Sequence, residues 1–223
     1  MSDIAAGGHF PSRVLEHFRT AEQQRESEML GMWIFLATEV MFFGALFVAF
    51  SVYRTSYPQA FGAGSADMNI VLGSINTAVL ITSSLTMALA VHASEVGNRV
   101  WLRILLVLTM LLGCAFLIIK GIEYYQHYLD HKMPAVWFNF SGPDAGPVQM
   151  FFVFYFFMTG IHALHMLVGI GVLLVILGRS FAGSFSAEYH TPVAVAGLYW
   201  SFVDIIWVFL FAIFYLQGLH VHG

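Results

Sequence analysis

Five stretches of this chain are each long and apolar enough to cross a lipid bilayer, which leaves very few folds open to it. They are Leu30 to Tyr53, Ile70 to Ala90, Trp101 to Tyr125, Val148 to Leu177 and Val193 to Leu216. A hydrocarbon core of about 30 Å takes roughly 20 apolar residues in a helix, and lipid supplies no partner for an unpaired backbone group. The five runs meet that length, so each is expected to form a spanning helix. Composition agrees: 59% of 223 residues are hydrophobic and only 10% are charged, which excludes a large water-soluble domain and a basic face for nucleic acid. The expected fold is all-α, a polytopic membrane protein of five transmembrane helices. It divides into an N-terminal segment 1–29, a five-helix domain 30–218 and a short tail 219–223.

Loops are expected where Gly, Pro, Ser and Asp interrupt the runs, as in YPQAFGAGSAD, SEVGNR, HKMPAVWFNFSGPDAGP and GRSFAGSFSAEYHTP. The polar residues 1–28 contain no apolar signal region, so the first run is expected to belong to the mature chain. No internal repeat stands out. Arg13, Arg19, Arg25, Arg99, Arg103 and Arg179 fall on one side, and Arg54, Lys120 and Lys132 on the other. Positive charge stays inside, which puts the N-terminus in the cytoplasm and the tail outside. Tyr53, Tyr57, Trp101, Tyr124, Tyr125, Trp137 and Tyr189 suit interfacial belts.

Glu39 sits in the middle of GMWIFLATEVMFFGALFVAF, where an acid needs a reason. Counting ~1.5 Å per residue puts Glu39 and Asp204 roughly 14 to 17 Å from one end of their helices, with Thr82, His165 and His162 at about 15, 18 and 22 Å. These groups from separate helices therefore share a depth and are expected to meet inside a bundle. His162 and His165 are three apart and project from one helix face; Ser201, Asp204, Trp200 and Trp207 line one side of the last span. Ser83, Ser84, Gly160, Gly169 and Gly171 should let helices approach closely.

Each signal has a plain structural reading beside the functional one. The His pair reads first as interhelical hydrogen bonding, because a metal would need ligands from a second helix. Glu39 is either an acid bonded to a neighbouring helix or a proton-handling group, and both stay open; Asp204 leans to structure. His127, His131, His220 and His222 are expected at an aqueous boundary, and Glu123 partly wet, pairing with Lys120 or His127. The Phe-rich run FFVFYFFMTG reads as packing and lipid-facing surface. Cys114 reads as a small core residue, and one cysteine permits no internal disulfide.

Five ordered segments together resemble subunit III of the haem-copper respiratory oxidases, most closely that of cytochrome c oxidase. They are GMWIFLATEVMFFGALF, NTAVLITSSLTMALAVHAS, KGIEYYQH, FMTGIHALHMLVG and YWSFVDIIWVFLF. The resemblance implies a short, five-span form in which two helices lean from three around a lipid-filled cleft. It implies a bacterial inner-membrane subunit that packs on subunit I, assembles with subunit II, binds phospholipid and supports proton uptake and sustained turnover. It further implies no catalytic residue and no metal held by this chain, with haem and copper in the partner subunits and cytochrome c or quinol as donor. Glu39 then matches the family's intramembrane carboxylate, Glu123 the EY glutamate, with His127 following it, His162 and His165 the GxHxxH pair, and Asp204 the aspartate of YWHFVD. Ser201 replaces that motif's histidine; it forms hydrogen bonds but cannot hold a proton near neutral pH. Arg179 stands where the family places a headgroup-binding base, and Arg54 and Trp33 are further lipid-binding candidates.

Rival readings are a quinol oxidase subunit, an accessory protein of nitric oxide reduction, or a small proton-coupled transporter using Glu39 and Asp204. The last lacks the inverted repeat and broken helices such carriers use. A metal enzyme built on His162, His165, Glu39 and Glu123 fails on depth, since Glu123 is expected near the outer surface.

Overall fold

The computed structural model describes residues 20–134, 138, 145–182 and 189–216. Arg13, Arg19, Trp137, His220, His222 and the tail 219–223, like most of segment 1–29, lie outside the described residues. Six helices are described: α1 Ala21–Ser56, α2 Pro58–Ala66, α3 Ile70–Glu95, α4 Arg99–Leu129, α5 Ala145–Phe181 and α6 Thr191–Tyr215. All except α2 are long and apolar enough to span a membrane.

The ends follow local chemistry. Thr20 caps α1 by accepting the Gln23 N–H at 3.1 Å, so the helix starts in polar sequence well before its apolar run. Asn69 and Asn98 cap α3 and α4 in the same way, and Gly97 takes the positive φ of 73° that turns the chain between them. Pro192 lies in the first turn of α6, where its missing N–H costs nothing. Proline also corrects one expectation. The stretch read as a loop after α1 is the nine-residue helix α2, with Pro58 in its first turn and Phe61 buried. Its Gly64 lies under the Phe151 ring so closely that an added Cβ would come within 2.5 Å, so glycine there serves contact rather than a turn.

α3, α4, α5 and α6 close a ring of adjoining pairs, and α1 leans on α6 and, less extensively, on α5. The packing thus divides four and one, where two and three were expected. Burial shows the difference: 61% of the most apolar window of α6 is buried and 17% of that of α1. The last turns of α1 are nevertheless pinned, because the Phe50 ring sits 5.1–6.3 Å from Phe61, Phe151, Phe154 and Phe214 of α2, α5 and α6. Towards its N-terminal end α1 parts from α5 and α6.

Candidate functional site

Glu39 of α1 does find a partner. Its Oε2 lies 3.2 Å from His165 Nε2 on α5, a contact between residues 126 apart in sequence, as their shared depth required. The other ring nitrogen, Nδ1, is 2.9 Å from the Ile161 carbonyl, which can only accept, so Nδ1 carries a hydrogen. With Nδ1–H fixed, a single proton between Glu39 and Nε2 makes either a neutral acid–imidazole pair or a carboxylate–imidazolium pair. Phe43 packs edge-on against the His165 ring, and the Tyr199 hydroxyl of α6 donates to the His165 carbonyl at 2.9 Å. The pair is not sealed: its side chains keep 17% and 18% of their exposure.

His162, on the same face of α5, has a different environment. It is buried between Phe116 and Trp207, ring centroids at 5.4 and 5.3 Å, and neither nitrogen has a hydrogen-bond partner among the described residues. The two histidines therefore do not converge on one point. Among the described residues no three His, Cys, Asp or Glu side chains group as a metal set.

A second polar layer joins α3, α4 and α6. Trp200 Nε1–H donates to Ser83 at 3.0 Å, Ser83 lies 3.4 Å from the Thr109 carbonyl, and the Thr86 and Thr109 hydroxyls are 2.8 Å apart. Trp207 Nε1–H donates to Thr77 at 3.1 Å. Gly169 admits the Trp200 ring. Asp204 is buried with both carboxyl oxygens lacking a hydrogen bond among the described residues. Ser201, beside it, is half-buried. Thr82 does not join the layer; it is exposed and bonds its own helix at Ala78.

The largest correction concerns Glu123, Lys120 and His127. All three are buried, at 1%, 4% and 6% exposure, where a partly wet glutamate, an outer-side lysine and a boundary histidine were expected. The Lys120 ammonium donates at 2.9 Å to each of three oxygens: Glu123 Oε2, Tyr155 OH of α5 and Tyr215 OH of α6. Tyr215 in turn donates to Glu123 Oε1 at 2.5 Å. The rings of Tyr124, Tyr155, Trp207 and Tyr215 surround the cation at 4.7–5.6 Å. Helix length explains the error. At 1.5 Å per residue, the 31 residues of α4 and 37 of α5 run to about 46 and 55 Å, so the two remain packed together past the ~30 Å core. The first turns of α5 thereby cover the last turns of α4, and His127 packs edge-on against Phe152, Tyr155 and Phe156. The cluster was missed because Lys120 is three residues from Glu123 on a helix, which signals a pair, while its tyrosines come from two distant helices.

Where α1 parts from α5 and α6 there is a cleft of about 1040 Å³. Met32, Phe35, Val168, Val172, Val175 and Tyr199 give it apolar walls, and Gln24, Glu28, Arg179 and Tyr189 lie at one end. Gly171 was expected to bring helices together; it lines this opening instead, with nothing within 4 Å of an added Cβ. Of the lipid-binding candidates, Arg179 lies on the cleft, while Trp33 and Arg54 are exposed elsewhere on α1. Cys114 is exposed and not a core residue.

Residues 16–219 match the family described as Cytochrome c oxidase subunit III. A protein of Alkalihalophilus pseudofirmus called "Cytochrome c oxidase subunit 3" is 32% identical over 204 residues, covering 91% of this chain and 93% of its own. The "Probable cytochrome c oxidase subunit 3" of Nocardia farcinica is 33% identical, covering 83% of this chain and 86% of its own. The "Cytochrome c oxidase subunit 3" of Pelomedusa subrufa is 32% identical over 84% of this chain, but only 69% of that longer protein is matched.

Proposed function

The chain belongs to the cytochrome c oxidase subunit III family, and from that premise we propose that it is the non-redox, non-catalytic third subunit of a proton-translocating terminal oxidase in aerobic respiration. As a member of that family it is a multi-pass membrane protein and part of a complex with other oxidase subunits. It packs on subunit I beside subunit II in a bacterial inner membrane. Those partners hold the haem and copper, and cytochrome c delivers the electrons. The N-terminus faces the cytoplasm. With Lys120 buried in the bundle, the remaining basic residues number six on that side against two, Arg54 and Lys132.

The observation that supports this role most is the contact between Glu39 and His165. An acid and an imidazole from separate helices are committed to each other, so His165 is engaged within the subunit and the pair is fit to share a proton. In this reading Glu39 supports proton uptake, the Lys120–Glu123 cluster holds the outer half of the bundle together, and phospholipid fills the cleft with a phosphate at Arg179. The Asp204 and Ser201 positions are structural.

Co-purification tests the assignment. The tagged chain, drawn from its host membrane in mild detergent, brings a haem-bearing large subunit and a copper-binding subunit II with it. Recovery of the chain alone overturns the reading, and a haem subunit without a copper-binding partner moves it to a quinol-oxidising complex.

A further inference from the structure

The cleft and the Glu39–His165 pair are neighbours along the same helices. Gln24 and Glu28 at one end of the cleft and Phe35 at the other lie on α1, and Glu39 follows Phe35 by one turn. On α5, Arg179 lies at the same end as Glu28, Val168 lines the deep part, and His165 comes three residues further in. From Arg179 to Val168 is eleven residues, or about 16 Å of helix, a depth suited to much of one acyl chain. Between cleft and pair stand two rings, Phe35 and Tyr199, with centroids 6.1 Å apart. Phe35 is 40% exposed and so is free to be covered or uncovered. Gly31 and Gly171 both line the opening, and an added Cβ at either meets nothing within 4 Å, so a larger side chain there would project into the cleft.

We propose that the cleft is a water route to Glu39 and His165 that a phospholipid acyl chain closes. With the chain lying against Phe35 and Tyr199, the pair is dry and keeps its shared proton. When the chain leaves, cytoplasmic water reaches past the two rings and the pair exchanges protons with that side. The apolar walls select an acyl chain over a polar ligand, and the guanidinium at the mouth suits a phosphate. The remaining titratable or charged groups facing the pair are Tyr199 on α6, which lies within electrostatic range of Glu39, and His162 one turn away on α5; Glu28, Arg179 and Tyr189 sit at the mouth. This rests on the reading that phospholipid fills the cleft, and the test separates the two.

A cysteine at the site reports water, because a charged methanethiosulfonate reagent travels through water and the cysteine thiolate attacks its sulfenyl sulfur, forming a mixed disulfide and releasing methanesulfinate. In the intact complex, Glu39→Cys is made in a Cys114→Ser background and labelled before and after lipid extraction, while retained phospholipid is counted by mass spectrometry. Extraction is expected to speed labelling by about tenfold, and Phe35→Ala to speed it before extraction. Gly171→Leu fills the cleft, so it lowers the count by one phospholipid and keeps labelling slow after extraction. Equal labelling before and after extraction overturns the gate. An unchanged phospholipid count in Gly171→Leu overturns the lipid occupancy on which it stands, and a lowered count with labelling that still accelerates on extraction overturns the gate alone.

Discussion

Two of the carboxylates within the bundle, Glu123 and Glu39, are held in opposite ways. Glu123 has both oxygens bonded, by Lys120 and by Tyr215, within a cluster drawn from α4, α5 and α6 and almost wholly excluded from its surroundings. Glu39 has one hydrogen bond among the described residues, to His165, at the seam between the loosely attached α1 and the ring of four helices, and it retains part of its exposure. A charge removed from water is tolerated only when paired and fully bonded, so the first arrangement fixes structure and resists change. The second leaves a proton two places to reside and a neighbouring cleft through which its surroundings can be altered. In the proposed function, one chain thus carries a structural acid and an exchangeable one.

Changes at the structural acid should break this contrast most visibly. Glu123→Leu strands the Lys120 ammonium among aromatic rings, a loss on the order of 3–5 kcal/mol, and should abolish accumulation of the subunit or sharply lower its melting point in purified complex. Restoring charge balance sharpens the same point. Lys120→Met with Glu123→Leu should recover much of that loss, giving a double variant more stable than Glu123→Leu alone, which a thermal melt of the four combinations measures. At the middle of the scale, Gly64→Leu forces Phe151 from its place and should cost roughly 1–3 kcal/mol, loosening α2 without touching either acid. Trp200→Phe removes one interhelical donor to Ser83 and should cost about 0.6 kcal/mol, read from the same melts. Glu39→Gln should show the smallest effect on stability, because an amide still bonds His165, while it removes the proton that the proposed function assigns to the pair.

The spans and the meeting of Glu39 with His165 were legible because both depend on one-dimensional quantities, run length and depth along a helix. Asp204 and the two tryptophans followed from helical spacing. The cluster at Lys120 was not legible, since a lysine near the end of an apolar run reads as a boundary marker unless the overhang of the neighbouring helix is known. The helix α2 was hidden because Pro58 and Gly64, taken as breakers, act as a first-turn residue and as a contact point beneath Phe151. Gly171 shows the same ambiguity: a small residue in a span signals either close approach or open space, and only the position of α1 decides between them. The division into four helices and one likewise depends on which faces meet, a matter of three-dimensional packing and not of the apolar runs.

The most direct test compares Glu39→Gln with Glu123→Leu in the purified oxidase, measuring subunit content, haem absorbance and the decay of turnover together. With Glu39→Gln, full subunit and haem content are expected, with faster loss of activity during turnover or slower proton uptake; with Glu123→Leu, the subunit itself should be missing. A Glu39→Gln complex lacking this subunit or its haems, or a Glu123→Leu complex that retains the subunit at full stability, would contradict the division of roles drawn here.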